Sequence, residues 1–445
     1  MSHSLHRAYS SILCAGCLLV GLTLSASAWG QTTQPTYKYE FGTGKVEAGF
    51  TQVLPDMAYT KARGFGFEPG AAVESVDRAG SGVAHTSFVT STKPFLFSIA
   101  VPEGNYQVTV TLGDPQGPSA TTIKAEIRRL MVEKAHLDSG KIATYTFNVN
   151  VRVPQIAGGG TVRLKPREQQ TETRAWDDKL TLEFDDTHPC IGAIEMKKVD
   201  NLPVVYVCGD STICDQPGEN FCSWGQMLPR FFKPDVTIAN HGESGESLSS
   251  FIGEQRWAKV MSLMKPGDYM IVQMGHNDEK EKGPGVGALT TFKANLKKFV
   301  ADTRSKHATP IIVSPMERRS FDANGKVKLS HGDYPEAFRE VAKEDNVAFV
   351  DLTALSIKFY EALGADKAYL AFAGTGTNRD ATHHDNYGAY ELAKIVVQGI
   401  IDDKVDLAKS VVADFKPFDP SKPDAVDTFT MPTGPSTVNL TPLGS

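Results

Sequence analysis

Between residues 37 and about 200, apolar and polar positions alternate in short runs punctuated by turn residues, the texture of half-buried β-strands. One run spans 95–101, Pro102-Glu103-Gly104-Asn105 reads as a turn, and 106–112 alternates strictly. The same pattern recurs at 145–153, 161–164 and 179–184, with few helical windows between. Closely spaced strands without helices predict a β-sandwich over 37–200. Past Asp200 the period changes. Short β-branched or apolar runs at 204–208, 236–239, 269–274, 310–314 and 347–351 read as buried strands. Helical windows stand between them: Phe292, Leu296, Phe299, Val300 and Thr303 share one face, and Tyr334–Asp345 forms another window. A last helix over 386–400 puts Ala389, Leu392, Ala393, Val396, Val397 and Ile400 on one side. Strand and helix in alternation predict an α/β domain over 201–415, built on a doubly wound parallel sheet. Residues 416–445, rich in Pro, Ser and Thr, predict an extended tail lying on the surface.

The first 30 residues are of another kind. His6 and Arg7 precede an apolar stretch over 12–24, followed by the small residues Ser25-Ala26-Ser27-Ala28. This predicts a cleaved signal peptide over 1–30, with an uncleaved anchor as the alternative, and so a secreted or periplasmic protein. No other segment is apolar enough to span a membrane. Residues 31–36 read as a linker. Cys14 and Cys17 would leave with the leader; Cys208 reads as a free core thiol, and spacing alone leaves a Cys214–Cys222 pairing open. At 445 residues, 41% apolar and 22% charged, the chain is ordinarily globular, and a net charge of −6 argues against nucleic-acid binding. No Cys/His cluster has metal-ligand spacing, so no metal or other cofactor is implied.

Four polar clusters fall where strands end: Gly209-Asp210-Ser211-Thr212, Asn240-His241-Gly242-Glu243-Ser244-Gly245-Glu246-Ser247, Gly275-His276-Asn277-Asp278 and Asp380-Ala381-Thr382-His383-His384. The carboxyl ends of strands are where open α/β sheets keep their ligands. Acyl transfer needs these residue types. A serine hydroxyl is a poor nucleophile until a base takes its proton, and His383 is the candidate base for Ser211. Asp380, three residues before it, can fix the other ring nitrogen. The N–H groups of Ser211 and Gly245 and the Asn277 amide are candidate oxyanion donors. Gly-x-Ser-x-Gly is absent, so the nucleophile elbow of α/β-hydrolases is not indicated.

These stretches, "GDSTICDQ", "NHGESGESL", "MGHND" and "DATHHDNYGAYELA", resemble blocks I, II, III and V of the SGNH (GDSL-like) hydrolases. Within that superfamily they are most similar to rhamnogalacturonan acetylesterases. "FSIAVPEGNYQVTVTLGD" and "WDDKLTLEF" resemble the galactose-binding-like jelly-roll modules that accompany bacterial members. The resemblance covers about 37–420 and departs from the pattern at Ala381, where glycine is common. It implies a flavodoxin-like sheet and Ser211, Asp380 and His383 as the triad. Ser211, Gly245 and Asn277 would form the oxyanion hole, and the reaction would be the cofactor-free hydrolysis of O-acetyl esters on a pectic polysaccharide. Another polymer such as xylan, or non-catalytic polysaccharide binding, are the alternatives. Pectic esters sit beside uronates, which makes Arg318 and Arg319 candidate substrate contacts, with Lys280 and Lys282 also at the sheet's carboxyl edge. His276 reads as either a structural residue or a substrate contact, and His384 is left open. Phe65, Phe67 and Trp176 are read as core rather than sugar platforms.

Overall fold

Strands with one apolar side bury it by facing a second sheet, and the amino-terminal half does so. The computed structural model describes residues 36–78 and 87–435; the leader at 1–30 with Cys14 and Cys17, and the tail beyond 435, lie outside them. The strands are β1 (Thr36–Phe41), β2 (Thr51–Val53), β3 (Phe65–Phe67), β4 (Glu74–Asp77), β5 (Ser87–Thr90), β6 (Phe95–Ala100), β7 (Gly104–Leu112), β8 (Ser119–Ala125), β9 (Arg129–Leu137), β10 (Ala143–Val151), β11 (Lys179–His188) and β12 (Cys190–Lys198). One sheet runs β10-β7-β12-β1-β2, with β5 joining β12 to β4; the other runs β3-β6-β11-β8-β9. Phe41, Val110 and Ile194 from the first meet Phe97, Ile99 and Leu182 from the second. Burial of each such side chain contributes roughly 1.5–3 kcal/mol.

The turn at 102–105 joins β6 to β7, which lie in different sheets, so it carries the chain across the sandwich. One expectation changes here. Residues 161–164 are not a strand. Thr161 makes only an isolated bridge to Gln155, because the Arg163 N–H donates instead to Glu254 O at 2.9 Å. The segment between β10 and β11 leaves the sandwich and contains a short helix, α1 (Pro166–Gln170). Trp176 and Phe67 are buried, Trp176 beneath the Arg152 guanidinium at 4.4 Å, and Phe65 packs on Tyr39 at 4.7 Å.

The second half is a parallel sheet of β13 (Val204–Gly209), β14 (Thr237–Asn240), β15 (Tyr269–Gln273), β16 (Thr309–Val313) and β17 (Ala348–Val350), in the order β14-β13-β15-β16-β17. This is the flavodoxin-like doubly wound order. Side-chain alternation splits its core in two. Val205, Val207, Ile271, Ile311 and Val313 face α2 (Trp224–Met227), α7 (Leu352–Leu363) and α8 (Asn386–Asp402). Tyr206, Cys208, Met270, Val272 and Ile312 face α3 (Leu248–Gly253), α4 (Arg256–Leu263), α5 (Lys293–Ser305) and α6 (Tyr334–Asp345). A hairpin of β18 (Phe372–Thr375) and β19 (Asn378–His384) precedes α8.

The described residues hold together as one unit. Buried arginines from the turn into β9 make much of the join. Arg128 donates to Gln216 O, Gly218 O and Phe221 O (3.2, 2.7 and 2.9 Å), and Arg129 Nε to Asp215 Oδ2 (2.6 Å). The tail from 416 to 435 is irregular, with one 3-10 turn at Val426–Thr428, and is anchored: Phe429 packs on Tyr387 and Tyr390, and Pro432 O accepts from the buried Lys124 ammonium at 2.9 Å. Among the described residues, no helix is long and apolar enough to cross a membrane.

Candidate active site

Ser211 stands just past the end of β13, in a turn where Ile213 and Cys214 N–H both donate to Asp210 O (3.1 and 3.0 Å). Gly209 permits this turn. A Cβ there would lie 2.0 Å from Ile213 Cγ2 and 2.8 Å from Gln273 O, so any larger residue would force β13 and β15 apart. The turn is pinned from below by a buried chain of hydrogen bonds. Trp224 Nε1 donates to Gln273 Oε1 (2.9 Å), Gln273 Nε2 to Thr212 Oγ1 (2.9 Å), and the Thr212 hydroxyl and N–H to Asp210 Oδ1 (2.7 and 2.9 Å). Burial pushes the Asp210 carboxyl up, but neighbouring His276 and the Thr212 donors pull harder and hold it below the usual range.

The fourth cluster arrives on β19. Asp380 Oδ1 accepts from Thr382 N and His383 N (2.6 and 2.9 Å), and its Oδ2 lies 3.0 Å from His383 Nδ1. Burial opposes its charge, yet His383 and the two backbone donors outweigh burial and hold the carboxyl well below the carboxylate range. An ionised Asp380 can only accept, so His383 Nδ1 carries the proton and Nε2 is left as an acceptor. His383 Nε2 lies 2.8 Å from Ser211 Oγ, across 172 positions of sequence. Phe221 packs edge-on against the imidazole at 6.1 Å.

Gly245 and Asn277 lie in the loops that follow β14 and β15, the strands on either side of β13. Glu246 O accepts from Asn277 Nδ2 (2.9 Å), joining the two loops. Among the described residues, neither Ser211 N–H nor Gly245 N–H donates to a protein acceptor. Backbone donors in such positions are rarely left unused.

The other candidates are engaged with partners around this group. Arg318 pairs with Glu279 and approaches His331 Nδ1 at 3.4 Å. Arg319 donates to Arg379 O and Asp380 O (3.0 and 3.3 Å), bracing the strand that carries Asp380. His276 is buried behind Asp210 (3.5 Å), against the ring of His331, and burial pushes it down to about 4. Lys280 Nζ lies 3.5 Å from Asn277 Oδ1, and Lys282 donates to Glu279 O (3.2 Å). His384 is buried, its Nε2 2.8 Å from Tyr360 Oη, and burial pushes it down to about 3. Cys214 and Cys222 are separate free thiols, as are Cys190 and Cys208. Among the described residues, no group of His, Cys, Asp or Glu side chains is arranged to hold a metal ion. Trp224, Gln273 and Phe221 were not legible as site residues. They act through a buried network and a ring contact, and no local motif marks either.

Asp278 carries a pH test. Its Oδ1 accepts from Leu248 N at the start of α3 (2.8 Å), its Oδ2 has no hydrogen-bond partner among the described residues, and burial pushes the carboxyl up to about 8. A raised folded value means stability is fully present below about pH 4 and is lost as pH rises through about 8. Asp278→Asn keeps the acceptor and removes the titration. Its melting temperature relative to wild type should therefore rise between pH 5 and pH 8.5, whereas a constant difference would contradict the buried neutral acid.

Residues 207–386 match the GDSL-like Lipase/Acylhydrolase family, and residues 37–156 match the Beta-agarase/YXIM esterase-like, galactose-binding domain-like family. The rhamnogalacturonan acetylesterase RhgT of Bacillus subtilis (strain 168) is 35% identical over 207 residues, 44% of this chain and 88% of that protein. The uncharacterized esterase YxiM of the same organism is 27% identical over 375 residues, 81% of this chain and 90% of that protein. The crystal structure of Bacillus subtilis YxiM is 23% identical, with a TM-score of 0.44 over 84% of this chain and 99% of that one.

Proposed function

Because the chain belongs to the GDSL-like lipase/acylhydrolase family and is an esterase, we propose that it removes O-acetyl groups from a pectic polysaccharide of the rhamnogalacturonan class, using Ser211, His383 and Asp380. The observation that carries this reading is the Asp380–His383–Ser211 line, 3.0 Å and 2.8 Å at its two hydrogen bonds. Ser211 Oγ adds to the acetyl carbonyl carbon while His383 Nε2 takes its proton. The carbonyl oxygen, now an oxyanion, accepts from the N–H groups of Ser211 and Gly245 and from the second N–H of the Asn277 amide. Collapse breaks the bond to the sugar oxygen, which leaves with the proton from His383. Water then attacks the acetyl-serine with His383 as base, and acetate departs from a restored Ser211. Loss of one oxyanion donor costs ~10²–10³ in turnover.

The substrate class rests on the name of the 35%-identical relative, of whose length this chain covers 88%. The sandwich at 37–200 enters as a separate galactose-binding-like domain and the leader as an export signal, which fits a substrate that lies outside the cell. Acetate release from acetylated rhamnogalacturonan beside acetylated xylan is the test. Faster release from the pectic polymer is expected. Equal rates would remove the substrate assignment, and no release from any acetyl ester would remove the reaction.

A further inference from the structure

The loop that carries Gly245 is tied to a distant part of the chain. Glu246 N–H donates to Glu243 O (3.3 Å), closing a four-residue turn in which Gly245 stands third with φ +79°. A positive φ at that position is the geometry of a type II turn. Type I and type II turns differ by a half-rotation of the central peptide, here Ser244 C=O and Gly245 N–H. In a trans peptide those two groups point opposite ways. Whatever holds the carbonyl on one side therefore sends the N–H to the other.

The carbonyl is held by Lys165. Its ammonium donates to Ser244 O at 2.5 Å and pairs with the Glu246 carboxylate, which is fully buried. Lys165 lies between β10 and β11, outside the residues matched to the hydrolase family. Its own backbone is fixed. Glu168 Oε2 accepts Lys165 N–H (2.7 Å), and Glu168 grips Arg256 at the start of α4 through two bonds of 2.9 and 2.6 Å. Arg163 adds two more ties, to Glu254 O (2.9 Å) and Gly253 O (3.1 Å). The other flank of the turn is held by Asn277 at Glu246 O.

We propose that Lys165 is a positioning residue for the oxyanion site: by taking Ser244 O it keeps the central peptide turned so that Gly245 N–H serves the carbonyl oxygen of the bound ester. The inference rests on Gly245 being an oxyanion donor. It makes the segment between β10 and β11 part of the machinery of turnover, whatever the sandwich itself binds.

Lys165→Met in the full chain tests this, beside Lys165→Arg and the double variant Lys165→Met/Glu246→Gln. With 4-nitrophenyl acetate, Lys165→Met is expected to lower kcat at least ~10-fold, approaching the ~10²–10³ of a lost donor, with KM nearly unchanged. The double variant, which also removes the stranded carboxylate, should stay impaired, and Lys165→Arg should retain most of kcat. Recovery in the double variant would mean that Lys165 serves only to neutralise Glu246, and would overturn the proposal. So would an unchanged kcat, or a raised KM with kcat intact. Crystal structures of wild type and Lys165→Met give a readout independent of turnover. The Ser244 carbonyl should swing toward the cleft in the variant, and an unmoved peptide overturns the proposal. A wild type that hydrolyses no acetyl ester would count against the enzyme reading alone, since the peptide orientation would still be decided.

Discussion

Replacing Ser211 by alanine is expected to lower acetate release by about 10⁴–10⁶-fold while the protein stays folded. The two halves of that expectation have separate causes. Among the described residues Ser211 Oγ has one partner, His383 Nε2 at 2.8 Å, and in the proposed reaction that bond is the route by which the hydroxyl becomes a nucleophile. The turn itself does not depend on the hydroxyl: Ser211 O still accepts from Gln216 Nε2 (2.7 Å), and Asp210 and Thr212 keep their bonds. Removing one side-chain oxygen therefore costs about 1–3 kcal/mol, the penalty of leaving the buried His383 Nε2 without its partner. What remains after the substitution is the oxyanion donors and substrate binding, which alone hold a modest rate over water. Initial rates of acetate release, with melting curves of both proteins, check it. More than one part in a hundred of wild-type turnover with an intact melting curve would remove Ser211 from the nucleophile role.

The fold was most legible where pattern and packing agree. Helix α6 shows this: Ala337, Phe338 and Val341 recur at helical offsets and are buried, Pro335 sits in the first turn, and Asn346 closes the helix at φ +48°. The 12-residue α7 carried no such signal. Its buried face includes Thr353 and Ser356, which bond to the loop after β16 (Thr353 Oγ1 to Pro315 O, 2.6 Å; Glu317 N to Ser356 Oγ, 3.0 Å), so the apolar period is broken by residues that are nonetheless inside. Strand β19 was hidden for a related reason. Its residues are polar because they serve the site, and its pairing with β18 comes from the hairpin rather than from an apolar side.

The site divides in the same way. Three clusters that follow sheet strands and a fourth that lies on β19 were visible because each carries its chemistry in a few adjacent residues. The parts that hold those residues still were not visible, because they are single side chains supplied from elsewhere: Gln273 from the end of β15, Trp224 from α2, Arg319 behind Asp380, and Lys165 from the segment after β10. Arg318 and Arg319 show the limit of reading charge from position. Both follow β16, yet one is committed to a carboxylate and the other to backbone carbonyls. Position along a strand predicts which edge a residue occupies, and its hydrogen-bond partners decide what it does there.

Asp380→Asn is expected to lower kcat about 10⁴-fold, although the substitution removes no heavy-atom contact. Asp380 Oδ1 receives two backbone N–H groups, so in the variant the amide oxygen stays there and the NH₂ turns to His383. A ring nitrogen facing a donor has to accept, which moves the imidazole proton from Nδ1 to Nε2. Nε2–H then faces Ser211 Oγ at 2.8 Å and cannot take the serine proton, so the geometry survives and the base is lost. In the wild type the Asp380 carboxyl is held well below the carboxylate range by His383 and the backbone donors, so it stays ionised throughout pH 5–9. Any change of wild-type rate within that window therefore does not come from protonation of Asp380. A rate within ten-fold of wild type would reduce Asp380 to a turn-capping residue.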